Sequence, residues 1–117
     1  MQYALLIYED ESNLAESWDA ETREAFFAEF NRLTEDMREA GVFIASRRLT
    51  TTDAATTVQV RGGRVVTTDG PFAETKEALA GLYLIECANL DEALTWAQRI
   101  PAARLGRVEV RPVRGAA

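Results

Sequence analysis

Two stretches of this chain, Tyr3 to Tyr8 and Leu79 to Ala88, are apolar at nearly every position, with Glu86 the one charged residue among them. Neither is long enough to span a membrane as a helix, which takes about 20 residues. Read as strands, they send alternate side chains to opposite faces of a sheet. Tyr3, Leu5 and Ile7 then point one way, and Ala4, Leu6 and Tyr8 the other. A strand that is apolar on both faces belongs in the centre of a sheet and needs cover on both sides. The rest of the chain has to meet that demand.

Two segments carry helical periodicity. In the first, Phe26, Phe30, Leu33, Met37 and Ala40 form one stripe, and Glu21, Glu24, Glu29, Glu35, Asp36 and Glu39 lie mainly outside it. Asp19 is placed to cap its start and Gly41 to end it. In the second, Leu90, Ala93, Leu94, Ala97 and Ile100 form the stripe. Asn89 and Glu92 make a capping-box-like pair before it, and Pro101 stops it. Asp10 to Trp18 reads as a polar loop and Val42 to Leu49 as a strand. Thr57 to Arg61 and Arg64 to Thr68 flank Gly62-Gly63, a two-residue hairpin signal. Arg107 to Val113 alternates Val108 and Val110 with Glu109 and Arg111.

The order is strand, helix, strand, hairpin, strand, helix, strand. With the hairpin set aside this is βαββαβ, so the expected fold is α+β, ferredoxin-like, with an inserted β-hairpin. At 117 residues it forms a single domain over residues 1–117. Two helices cover only one face of such a sheet. A second copy is the simplest cover for the other, so a homodimer is expected.

Composition removes several kinds of chemistry. A net charge of −6 argues against nucleic acid, whose phosphates need a basic surface. The chain has no histidine and one cysteine, Cys87. This removes Ser-His and Cys-His catalysis, the familiar zinc sites and an internal disulfide framework. Cys87 reads as a small buried hydrophobe. Tyr3 to Tyr8 has no basic flank and meets Glu9-Asp10-Glu11, unlike a signal peptide. The cytoplasm is the expected compartment, without membrane attachment.

Chemistry is concentrated in one loop, Asp69-Gly70-Pro71-Phe72-Ala73-Glu74-Thr75-Lys76-Glu77. Gly70 and Pro71 force a turn, and Phe72 is expected to anchor the loop to the body. This block, the Gly81-Leu82-Tyr83-Leu84-Ile85-Glu86 run, the Asp91-Glu92-Ala93 helix, Pro101 and Val108-Glu109-Val110-Arg111-Pro112 together resemble the YCII-related family. The closer resemblance is to its DGPF subgroup, and it covers nearly the whole chain. It implies a ferredoxin-like fold paired into a dimeric α/β barrel. It also implies a link to transcription initiation, through the subgroup's association with alternative sigma factors. Members near the family's namesake carry a His and an Asp to which acid-base work is ascribed. This chain has no histidine, so only Asp69 is left for a comparable acidic role.

Two readings of Asp69 stand. It is an Asx-type turn residue at the Gly70-Pro71 bend, or a catalytic acid or base beside the dimer cleft. Glu86 interrupts an apolar strand. It is either a buried carboxylate with a partner, and hence a second catalytic candidate, or it faces a solvated edge. Tyr8, Phe72, Lys76, Tyr83 and Arg111 are the ligand-binding candidates, although core tyrosines and a structural Glu109–Arg111 pair are the commoner roles for three of them. Arg104, Arg107, Arg111 and Arg114 read as solvated or paired with acidic residues. Asp69, Glu74 and Glu77 offer oxygen ligands, but their spacing matches no known metal loop, so neither metal nor cofactor is expected. The reading that follows is a small dimeric binding or accessory protein, with a small organic ligand or a regulatory protein as partner. A cofactor-free lyase or isomerase using Asp69 or Glu86, and a purely structural dimer, are its rivals.

Overall fold

The computed structural model describes residues 1–13 and 17–115. Strand β1 (Gln2–Asp10) leads through a short 3-10 turn to helix α1 (Ala20–Glu39) and strand β2 (Phe43–Arg48). The hairpin strands β3 (Thr56–Arg61) and β4 (Arg64–Asp69) follow, then β5 (Glu77–Glu86), helix α2 (Leu90–Gln98) and β6 (Arg107–Pro112). Part of the expected Asp10–Trp18 loop, residues 14–16, lies outside the described residues.

Local chemistry sets the helix ends. The Asp19 carboxylate accepts from the Thr22 amide at 2.8 Å and caps α1. At the other end Gly41 has a φ of +74°, the Gly41 amide donates to the Arg38 carbonyl, and the Val42 amide donates to the Met37 carbonyl. This is a Schellman motif, and it requires the left-handed residue that glycine supplies. Asn89 caps α2 through the Glu92 amide at 3.0 Å, and the Glu92 carboxylate reaches back to the Ala88 amide at 3.2 Å. Helix α2 stops at Gln98, before Pro101 is reached. Pro101 instead opens a 3-10 turn through Arg104, where its missing amide proton costs nothing.

The main sheet has four antiparallel strands in the order β2-β5-β1-β6. Each helix connection steps over one strand: β1–α1–β2 brackets β5, and β5–α2–β6 brackets β1. This is the ferredoxin-like arrangement, with the two doubly apolar strands adjacent at its centre. Tyr3, Leu5, Ile7, Tyr83 and Ile85 join Leu33 and Met37 of α1, and Ala93 and Ala97 of α2, in one core. Ala4, Leu6, Tyr8, Leu82 and Leu84 occupy the other face and are only half-buried. No described element covers them.

Three details differ from the sequence reading. Strand β5 begins at Glu77, two residues before Leu79, because Asp10–Glu77 and Glu9–Ala78 pairs extend the ladder. A bulge at Ala80 then shifts the register between Ile7–Gly81 and Tyr8–Leu79. A Cβ on Gly81 would lie 2.8 Å from the Arg47 carbonyl oxygen, so glycine lets β2 approach there. The hairpin also stands apart as its own two-stranded sheet. The Cα radius of gyration is accordingly 16.3 Å, against about 13 Å for a compact chain of this length.

One position tests the packing of β1 against β6. Gly106 precedes β6, and a Cβ there would collide with the Tyr8 carbonyl oxygen. Gly106→Ala is expected to lower stability by about 1–3 kcal/mol through overpacking. Gly115→Ala, where nothing lies within 4 Å, is expected to be neutral. Urea unfolding of both variants checks this, and equal midpoints would refute the close approach.

Candidate cavity beneath the first helix

Helix α1 packs on the sheet through its second half, where Leu33 and Met37 are buried. Its first half stands on aromatic rings. Phe26 packs edge-to-face on Trp18, Phe27 and Phe30, with ring centroids 4.9, 5.8 and 5.2 Å away. Phe26 is buried but lies outside the main core. Between these two supports a cavity of about 230 Å³ opens, lined by Ile7 and Glu9, by Phe27, Phe30, Asn31 and Thr34, by Ser46 to Arg48, and by Ala80 to Tyr83.

Strand alternation places Glu9 here, since it continues the buried row Tyr3, Leu5, Ile7. Its Oε1 atom is buried and has no hydrogen-bond partner among the described residues. An acceptor left in that state costs about 1–3 kcal/mol. Opposite, the Tyr83 and Thr34 hydroxyls are 2.9 Å apart, and the Thr34 hydroxyl donates to the Phe30 carbonyl at 3.0 Å. The single Thr34 proton is thereby committed, so Tyr83 donates to Thr34. Burial pushes the Tyr83 phenol above its ordinary range, against smaller downward effects from the Thr34 bond and the Arg38 charge. At the rim the Arg48 guanidinium stands over the Phe27 ring, 5.4 Å from its centroid. Among the described residues it has no carboxylate partner.

Of the residues singled out in the sequence, Tyr83 alone lines this cavity. Asp69 is exposed at the end of β4, opposite Thr56. Its carboxylate does not hold the bend as an Asx-turn would. The Gly70 amide donates to the Ala55 carbonyl at 2.7 Å, and the Thr57 hydroxyl donates to the Gly70 carbonyl at 2.8 Å. Phe72 is 91% exposed, so it does not anchor the loop to its own chain. Instead it lines an apolar cleft of about 570 Å³ with Tyr8, Leu49, Pro71 and Leu79. Lys76 shares a different cleft with Tyr8, Arg107 and Glu109.

Glu86 is exposed too, 3.7 Å from the N-terminal ammonium, which is the solvated-edge reading. Arg111 Nε donates to Glu109 at 2.7 Å along one strand, while Arg104 makes two 3.0 Å bonds to Glu29 of α1. Burial raises the Cys87 thiol, the first of several causes, in keeping with a buried apolar role. The sequence reading passed over Glu9 and Arg48. A carboxylate at the next position of the Tyr3-Leu5-Ile7 row was the available signal for Glu9.

The raised Tyr83 phenol carries a pH dependence. Folding favours its neutral form, so its contribution is full below the unfolded value near 10 and is lost as pH rises through the higher folded value. Tyr83→Phe is expected to cost about 0.5–1.5 kcal/mol at neutral pH. Its stability should then fall less steeply than the wild type's above about pH 10. Denaturant titrations at both pH values decide it; parallel losses would place the titration elsewhere.

Among the described residues no helix is long and apolar enough to cross a membrane. Residues 1–116 match the YCII-related domain. An uncharacterized protein of Rhizobium meliloti (strain 1021) is 43% identical over 115 residues, covering 97% of this chain and 92% of its own length. With the βαββαβ topology, these likenesses run the whole length of the fold, and the chain belongs to the YCII-related family.

Proposed function

We propose that this protein is a homodimer that binds a small organic molecule in the cavity beneath α1 of each chain. The observation that carries the reading is the buried, unmatched Glu9 Oε1 on the cavity wall. A folded chain retains such a cost where a bound molecule relieves it. A lyase or isomerase reading draws on the same atom. Glu9, in the cavity, is a better placed base for it than Asp69 or Glu86, which are solvent-exposed.

The dimer reading is supported by the half-buried apolar face of β1 and β5, which two sheets packed together would cover as in a dimeric α/β barrel. The cleft of Tyr8, Leu79, Pro71 and Phe72 continues this apolar surface toward the hairpin. In the hairpin Val60 pairs with Val65 and Val58 with Thr67, and the three valines are 60–68% exposed. A lone two-stranded hairpin is marginal in water, so this valine face favours contact with protein. The second copy is the first choice for that contact. A regulatory protein, such as the sigma-factor link of the DGPF resemblance would supply, is the second.

Two measurements test the proposal. Glu9→Met removes the unmatched acceptor while keeping side-chain length. The unliganded variant is expected to melt no lower than the wild type, and by the cost above about 1 kcal/mol of gain is within reach. A clear loss would show that Glu9 serves the fold. Light scattering should give twice the 13.0 kDa chain mass across a micromolar dilution series. A folded monomer throughout would defeat the dimer. A dimer unaffected by Val60→Thr with Val65→Thr would leave the valine face to another protein.

A further inference from the structure

We infer that the ligand of this cavity is a small carboxylate that also carries a hydroxyl or amino donor, no larger than one substituted ring. This rests on the binding reading above and adds the ligand's chemical class.

Three features of the cavity select that class. The first is size. At about 230 Å³ the space falls below the volumes that hold drug-sized molecules, about 300–1,000 Å³. Its apolar walls, Phe27, Phe30 and Ile7, suit a ring or a short unsaturated chain.

The second is the cation at the rim. Arg48 lines the cavity with its guanidinium carbon 5.4 Å from the Phe27 ring centroid, and its guanidinium N–H groups have no hydrogen-bond or carboxylate partner among the described residues. Those groups form a fork that matches a carboxylate with two parallel bonds. Arg47 is less available, because its Nη1 donates to the Ser46 carbonyl at 2.6 Å. Arg48 is therefore the anion-binding group of the cavity.

The third is the polarity of the interior. Glu9 Oε1 accepts and cannot serve a second anion. The hydroxyl pair reinforces this. Tyr83 donates to Thr34 and Thr34 donates to the Phe30 carbonyl, so both protons point along the chain of bonds and the Tyr83 oxygen has lone pairs to spare. The inner wall thus asks for a donor, and the rim asks for an anion. A ligand enters with its carboxylate on Arg48 and its hydroxyl or amine directed at Glu9. Glu9 and Arg48 are not in ion-pair contact with each other, so neither satisfies the other.

Four one-ring probes separate these requirements: 4-hydroxybenzoate, benzoate, 4-methoxybenzoate and phenol. Each is titrated calorimetrically into full-length wild type, Glu9→Met and Arg48→Met. In the wild type, 4-hydroxybenzoate should bind best. Benzoate and 4-methoxybenzoate should be weaker by about tenfold, one hydrogen bond. Arg48→Met should weaken 4-hydroxybenzoate at least about tenfold and leave phenol unchanged. Glu9→Met should erase the preference for the hydroxyl and keep the binding of benzoate.

Phenol binding as well as 4-hydroxybenzoate, with Glu9→Met abolishing both, would overturn the carboxylate class and keep the cavity as a binding site. Acids bound equally by all three proteins would place the site elsewhere and overturn both readings. No binding of any probe at millimolar concentration would overturn the inferred class. Thermal unfolding of each variant confirms that a loss of binding is not a loss of fold.

Discussion

Adjacent strands β1 and β5 are the constraint from which the rest of this molecule follows. Each is apolar on both faces, and Tyr3–Ile85 and Leu5–Tyr83 are pairs of their shared ladder. Burying one face requires two helices on the same side. With helices of this length the chain achieves that by crossing over a neighbouring strand twice, which puts β2 and β6 at the edges. The arrangement completes the core on the helix side and leaves Ala4, Leu6, Leu82 and Leu84 half-covered on the other. The thinnest extent of the molecule, 18 Å, is that of one sheet and one helix layer.

The cavity has its origin in the same geometry. Helix α1 is long, 20 residues, while β2 offers only six. Leu33 and Met37 hold the second half of the helix to the sheet, and the first half carries the Phe26, Phe27 and Phe30 rings beside Trp18, with Phe30 also packed against the core. Opposite Phe27 and Phe30 the sheet presents Ala80 at the bulge and the bare Gly81, which add little or no side chain to fill the space. A chain that needed only stability would fill this space with a larger residue and replace Glu9 with an apolar one.

Much of the fold was legible because it rests on local or periodic signals. Asp19, Gly41 and the Asn89–Glu92 pair act at the helix ends where their chemistry placed them. Two-residue alternation located the central strands, and Gly62-Gly63 located the hairpin turn. The site was less legible for physical reasons. Glu9 sits at the end of an apolar row, where a carboxylate reads as the strand's exit into solvent; only the overhang of α1 encloses it. Asp69 and Glu86 drew attention through their neighbours in sequence, yet alternation sends Glu86 to the open face and the hairpin carries Asp69 away from the core. A lone Phe72 in a polar loop reads as an anchor, but its own chain supplies no surface to receive it.

The sheet divides these features into two sets. Glu9, Tyr83 and Thr34 lie on the helix side; Tyr8, Leu82 and Leu84 lie on the open side with the Phe72 cleft beyond them. The proposed ligand beneath α1 and the proposed second copy on the open face would therefore occupy opposite surfaces. They still share one piece of backbone. Tyr8 and Glu9 are consecutive, point to opposite faces and follow directly on the Ala80 bulge, which shifts the register between Ile7 and Tyr8. The Tyr8 carbonyl is also pressed against Gly106, so β1 has little freedom to shift there without moving the start of β6. At the bulged end of β1 a cavity-lining side chain, Glu9, and an open-face side chain, Tyr8, are therefore joined by a single peptide.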